Sequence, residues 1–322
     1  MAEKLKRLLP AGFRGLDVFR NWKIFRKKDE TGKGNKASME KAGEEFMSSR
    51  RTNALLTLSL VVGIFLLAYP SVADYWNNFQ QRRAIMFYAE QVARMSADEY
   101  AGYIEAAEAY NRRLAETGFN WKQTEEELEE YRNLLSFNST GNMGYIDIPK
   151  INIKLPLYHG ISDEVLQTSI GHMEQTSLPV GGPGSHCVLS GHRGLPSARL
   201  FSDLDKLAEG DVFTLSILNE TYSYEVDQIR VVMPTDLSAI RILPGEDLCT
   251  LVTCTPYGVN THRLLVRGHR VANAQGDAQV VADALQLEAA FVAPFIMAPL
   301  VLVLLLLLFI QPEKWLREWI RK

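Results

Sequence analysis

Thr250-Leu-Val-Thr-Cys-Thr-Pro-Tyr-Gly-Val-Asn-Thr-His-Arg-Leu-Leu-Val-Arg-Gly-His-Arg270 is the stretch on which the fold turns. The run from Cys249 to Cys254 is β-branched and apolar and reads as a strand. Pro256, Gly258 and Asn260 break it with turn-forming residues, and Leu264 to Val266 resumes an extended pattern. A hairpin sets the end of one strand beside the start of the next. Cys254 and Arg263, nine positions apart, are therefore expected to face each other across the loop. A fixed cation beside a thiol favours the thiolate, and a guanidinium also offers donors to a developing oxyanion.

Each residue alone has an ordinary reading. A cysteine at a strand end is commonly a small core residue, and an arginine after a turn is commonly solvated. A third residue alters the balance. Val188-Leu-Ser-Gly-His-Arg-Gly194 is another β-type run, and it ends on His192. A thiol, an imidazole and a guanidinium, each at the mouth of a strand, can supply a nucleophile, a proton carrier and an oxyanion clamp.

Thr250-Leu-Val-Thr-Cys254, followed nine positions on by Arg263, resembles the signature of sortases, the cysteine transpeptidases of Gram-positive cell surfaces. Four further runs are similar to the pilin-polymerising class, class C. They are Gly144-Tyr-Ile-Asp-Ile-Pro-Lys-Ile-Asn-Ile153, Thr176-Ser-Leu-Pro-Val-Gly-Gly182, Gly191-His-Arg-Gly-Leu-Pro-Ser-Ala-Arg-Leu-Phe201 and Leu264-Leu-Val-Arg-Gly-His-Arg270. The resemblance runs from about Gly144 to Val271 in order. It implies catalytic roles for His192, Cys254 and Arg263. It also implies a donor with a Leu-Pro-x-Thr-Gly-like sorting signal, a thioester on Cys254, and transfer to a lysine amine of a pilin subunit. A wall-anchoring enzyme using a cell-wall peptide amine would share this chemistry, and a non-catalytic membrane-tethered assembly factor is the alternative from another class. Class C sortases often carry an Asp-Pro-aromatic lid before the barrel. No such tripeptide stands between the first apolar span and Gly144, and Phe119-Asn-Trp121 is the nearest aromatic candidate for a plug.

The chain has 322 residues, 47% of them hydrophobic, enough for one or two domains, and a net charge of −3 that gives no nucleic-acid signal. Cys249 and Cys254 lie five apart on one strand, ~16 Å at ~3.3 Å per residue, beyond disulfide reach and on opposite faces. Cys249 and Cys187 are therefore read as core, Cys254 as the accessible thiol. Neither Cys-x-x-Cys nor His-Glu-x-x-His occurs, and no metal or cofactor is expected.

Seven segments are expected. Residues 1–53 form a basic tail with fourteen Lys and Arg against seven Asp and Glu. Within it, 4–28 reads either as a helix lying on an anionic membrane or as an unstructured topology signal. The polar run Asp29–Ser38 reads as structureless. Residues 54–73 form a first transmembrane helix. Its uncharged and apolar stretch before Pro70, Ala54–Tyr69, is 16 residues long, ~24 Å against a ~30 Å hydrocarbon core, so extension past Pro70 is needed. A signal peptide is the other reading, against which the long basic lead counts. Residues 74–140 are helical, with a capping box opening at Thr124.

Short strands with Gly- and Pro-rich connections over 141–273 predict a mainly β fold, a closed barrel. The strands are placed at Tyr145–Pro149, Ile151–Pro156, Ser185–Ser190, Val212–Ile217, Tyr222–Val232, Cys249–Cys254 and Leu264–Val271, with a short helix over Ser162–Thr168. A linker, 274–288, leads to a second transmembrane helix, the uncharged 22-residue run Ala289–Ile310, and a basic tail, 311–322. Basic flanks outside both spans place both termini in the cytoplasm and the barrel outside the cell.

Overall fold

The computed structural model describes residues 36–137 and 140–273, with backbone alone for 36–54, 56 and 57. Two compact units are distinguished, Met1–Ile64 and Phe65–Lys322. The described part of the first is helix and belongs to α1 (Lys36–Ala93). Residues 36–38, expected to end a structureless run, are thus helical. The Ala-, Met-, Glu- and Lys-rich sequence that follows favours helix strongly enough to draw them in. Pro70 lies inside α1 without ending it. Leu58–Ala93 is long and apolar enough to cross a membrane, and none of its apolar window is buried. The 4–28 stretch, the 274–288 linker, the second apolar span at 289–310 and the tail at 311–322 lie outside the described residues.

Within the second unit, eight strands close into a barrel in the order β1-β2-β3-β4-β7-β8-β6-β5. They are β1 (Asn142–Ile148), β2 (Ile153–His159), β3 (Ile170–His172), β4 (Ser185–Ser190), β5 (Val212–Ile217), β6 (Glu220–Val232), β7 (Asp247–Thr255) and β8 (His262–Val271). The fold is the mainly β closed barrel that the sequence predicts. Alternation drives it: β5 buries Phe213, Leu215 and Ile217 and turns the residues between them outward. Met143, Ile146, Leu157, Leu189, Leu251 and Val266 share that core.

Three helices join the barrel: α2 (Ala97–Thr117), α3 (Glu125–Asn133) and α4 (Asp163–Leu166). The capping box expected at Thr124 is present, Glu127 N donating to Thr124 Oγ1 at 3.2 Å and Thr124 N to Glu127 Oε2 at 2.8 Å. β3, absent from the sequence reading, is three residues long and wholly buried, too short to show alternation. The expected strand start at Ile151 moves to Ile153, because Pro149–Ile151 forms a 3₁₀ turn that Asn152 closes with φ 51°.

The barrel has two different rims. α2 lies against the β3–β4 connection: Asn111 Nδ2 donates to Leu178 O (3.0 Å) and Gly181 O (3.2 Å), and Leu178 N donates to Asn111 Oδ1 (2.7 Å). Strand direction puts the ends of β4 and β7 and the start of β8 at the opposite rim.

Candidate active site

β4 and β7 are parallel, paired from Ser185↔Asp247 to Ser190↔Val252, a constant offset of 62 residues. Carried two positions on, that offset brings His192 beside Cys254. Bonds on either side show that the alignment persists past the strand end. Gly191 N donates to Val252 O at 3.1 Å, and Thr253 Oγ1 donates to Gly191 O at 2.7 Å. Arg193 Nη1 donates to Thr255 Oγ1 at 3.3 Å. On the other side of β7, Cys254 is the direct cross-strand partner of Arg263 in antiparallel β8. The bonds just past the end of β4 therefore bring His192 into line with Cys254 and Arg263, one row at this rim of the barrel. All three are half-buried.

Parity also separates the cysteines as expected. Cys249 and Cys187 are cross-strand partners inside the core, 0% and 2% exposed, and burial pushes the Cys249 thiol up. Cys254 is unpaired and reaches solvent. The Arg263 guanidinium donates to Asn260 O (3.4 Å) and His262 O (3.2 Å), carbonyls of its own loop. Donors held only by loop carbonyls are ones that a substrate oxygen can draw off.

The loop after β4 holds His192 by its backbone. Phe201 N donates to His192 O at 3.1 Å, and the Phe201 ring is fully buried against Gly191. A Cβ at Gly191 would stand 2.7 Å from that ring, so the approach requires glycine. Arg193 was not singled out in the sequence, yet it is the most heavily tied residue here. Its side chain is 10% exposed, pairs with Asp205 at 2.5 Å, bonds Thr255 and lies over the Tyr257 ring. Its position between His192 and Gly194 was the available signal.

A buried apolar cluster, the floor of this face, adjoins the row. Val252 and Leu265, each two positions from Cys254 and Arg263 along their strands, cluster with Val188 and Ile240, the last reaching over from the β6–β7 connection. Sequence reasoning missed this floor because Ile240 is 14 residues from Cys254 and outside every strand. The aromatic pair Phe119 and Trp121, expected as the nearest plug candidate, is elsewhere. The two rings meet edge to face at 5.6 Å, and the loop they occupy docks through Gln123 on Glu174 O, at the rim opposite Cys254.

The sequence profile of the sortase domain matches residues 146–271, the barrel with its three-residue row. A solved sortase C1 from Streptococcus agalactiae is 62% identical, with a TM-score of 0.59, over 59% of this chain and 99% of that one. The chain belongs to the sortase family. It is an enzyme of the cysteine transpeptidase type, and its solved relatives are class C sortases. A Streptococcus pneumoniae sortase C, studied for its catalysis and pilin substrate specificity, is 41% identical with a TM-score of 0.53 over 59% of this chain and 97% of that one. A Clostridium perfringens sortase C with the C-terminal cell wall sorting motif is likewise 41% identical, with a TM-score of 0.53, over 59% of this chain and 99% of that one. All three likenesses leave about two-fifths of this sortase uncovered.

Proposed function

We propose that this sortase joins pilin subunits covalently, using Cys254 as nucleophile, His192 as proton carrier and Arg263 as oxyanion clamp. The observation that carries the assignment is the His192–Cys254–Arg263 row. The likeness to class C sortases supports pilin as the substrate. An extended donor peptide bearing a Leu-Pro-x-Thr-Gly-like signal docks beside the row, its scissile carbonyl at Cys254. The sulfur of Cys254 attacks that carbon. Arg263 turns from its loop carbonyls to the oxygen that becomes negative. The C–N bond then breaks, and the leaving amine departs with a proton from His192. A lysine amine of the next pilin attacks the thioester and passes its proton to His192. The C–S bond breaks, and an isopeptide bond remains.

The chain layout follows the same reading: basic tail 1–53, transmembrane helix 54–73, helical segment 74–140, catalytic barrel 141–273, linker 274–288, second span 289–310 and tail 311–322. Both termini are cytoplasmic, and the barrel meets its substrates outside the membrane. Reconstitution with purified pilin tests the function. Covalent ladders that depend on Cys254 are expected, and transfer only to a cell-wall peptide amine would replace polymerisation with wall anchoring.

A further inference from the structure

We propose that Asp74 and Asn77 of α1 are positioning residues for His192, acting through the loop that carries it. The inference rests on the reading of His192 as proton carrier and adds the device that holds it. Asp74, Asn77 and Gln81 fall at i, i+3 and i+7, one stripe of a helix. Each makes a long-range bond near the site rim. Asp74 Oδ1 accepts from Arg199 N at 3.2 Å, Asn77 Nδ2 donates to Ser197 O at 2.7 Å, and Gln81 Nε2 donates to Thr168 O at 2.5 Å. Further down the helix Tyr88 reaches the opposite rim, where its hydroxyl accepts from Leu218 N at 2.6 Å and donates to Met143 O at 2.9 Å. α1 therefore spans the barrel wall, and its first contacts fall on the catalytic loop.

The contacts fall where that loop is strained. Leu200, buried and not a glycine, has φ 38°. Such a conformation is costly for a residue with a side chain and persists only where its surroundings impose it. The strained turn is what delivers Phe201 N to the carbonyl of His192. Ser197 and Arg199, the two residues gripped by α1, lie immediately before it. The loop is thus held on one side by β7 through Gly191 and Arg193, and on the other by α1. Releasing the α1 side lets Leu200 relax and frees the His192 carbonyl, with Cys254 and the apolar floor left in place.

The test uses the full chain in detergent micelles, with N77D, which is isosteric but sets a carboxylate against the Ser197 carbonyl. D74A removes the acceptor for Arg199 N, and Q80A serves as a control on an exposed neighbour. Amide exchange over 197–201 and the pH profile of Cys254 alkylation by iodoacetamide are read alongside acylation by a pilin-derived sorting-signal peptide. N77D is expected to speed exchange and slow acylation, each roughly five- to tenfold, for one hydrogen bond lost and one repulsion gained. It is also expected to shift the alkylation profile, D74A is expected to move all three readouts in the same direction, and Q80A is expected to stay near wild type. Unchanged exchange in N77D overturns the proposal, as does faster exchange with unaltered alkylation and acylation. Exchange and alkylation need no peptide substrate, so a wild-type enzyme that is never acylated counts against the proposed function and leaves the positioning result readable.

Discussion

At the rim under α2 and α3, buried polar groups bond to one another inside the protein; at the rim carrying Cys254, the groups proposed to react stay half-open to solvent. Under the helices, the Tyr131 hydroxyl lies 3.0 Å from His172 Nδ1 and accepts from Gly160 N at 3.1 Å, while His172 Nε2 donates to Ser177 O at 2.8 Å. Tyr131 and His172 are both fully buried. His159 there donates to Leu134 O at 2.7 Å, and burial holds its pKa below the ordinary histidine value. At the other rim, His192, Cys254 and Arg263 are placed by backbone register and by neighbours, and their own side chains are left accessible. On the proposed roles, this barrel separates what holds it together from what reacts. Substitutions at the two rims should therefore fail in different ways.

The largest expected effect at the reactive rim belongs to Arg263→Lys. An ammonium cannot reproduce the planar donor fork, and removing one oxyanion donor costs roughly 10²–10³ in rate. Peptide acylation should fall by about that factor, with the melting temperature nearly unmoved; wild-type rates would make Arg263 structural. Its mirror image at the capped rim is Asn111→Ala, which strips Leu178 and Gly181 of buried partners. A loss of about 3 kcal/mol in urea unfolding is expected, with the folded enzyme keeping its acylation rate. Equal activity losses at both rims would break the division.

How far the division was legible in the sequence can be judged residue by residue. The β7–β8 hairpin was, because β-branched runs and turn residues fix its register, and parity alone told Cys254 from Cys249. His192 was legible as a strand-end histidine, and the resemblance to sortases gave it a role. The supports were not. Ser197, Arg199 and Thr168 meet α1 across 87 residues or more, and no local pattern encodes a contact that far apart. Ile240 was hidden for another reason: it joins the apolar floor from a short 3₁₀ turn outside every strand. The capped rim was half visible: a Glu three after Thr124 announced the start of α3, whereas its docking on His172 depends on a three-residue strand with no periodicity to read.

An effect of similar size, spread over a pH range, sharpens the comparison. His186, in the wall between the rims, donates from Nδ1 to Arg241 O at 2.7 Å and accepts at Nε2 from the Thr250 hydroxyl at 2.7 Å. Burial lowers its pKa to about 4. The unfolded chain then binds the extra proton first as pH falls. The stability from keeping this ring neutral is complete above about 6.5 and is lost between there and about 4, to a total of about 3 kcal/mol. Urea unfolding at a series of pH values should show that loss, and His186→Gln should flatten it. An unchanged slope would assign the acid sensitivity to other groups, the capped rim's His159 first among them.

The smallest effect expected is at Arg193→Met. It removes the Thr255 and Asp205 bonds while keeping much of the stem's packing. Acylation should drop roughly tenfold, about 1.4 kcal/mol, with little change in peptide KM.

The central claim is that one sulfur, set between an imidazole and a guanidinium, carries the acyl group. Intact-protein and peptide-level mass spectrometry of the full chain, quenched in acid while turning over a sorting-signal peptide, reads this directly. The account predicts a single added acyl mass mapping to Cys254, absent from Cys254→Ala and slow to appear in Arg263→Lys. An adduct on Cys187 or Cys249, or pilin ladders formed by Cys254→Ala, would contradict it.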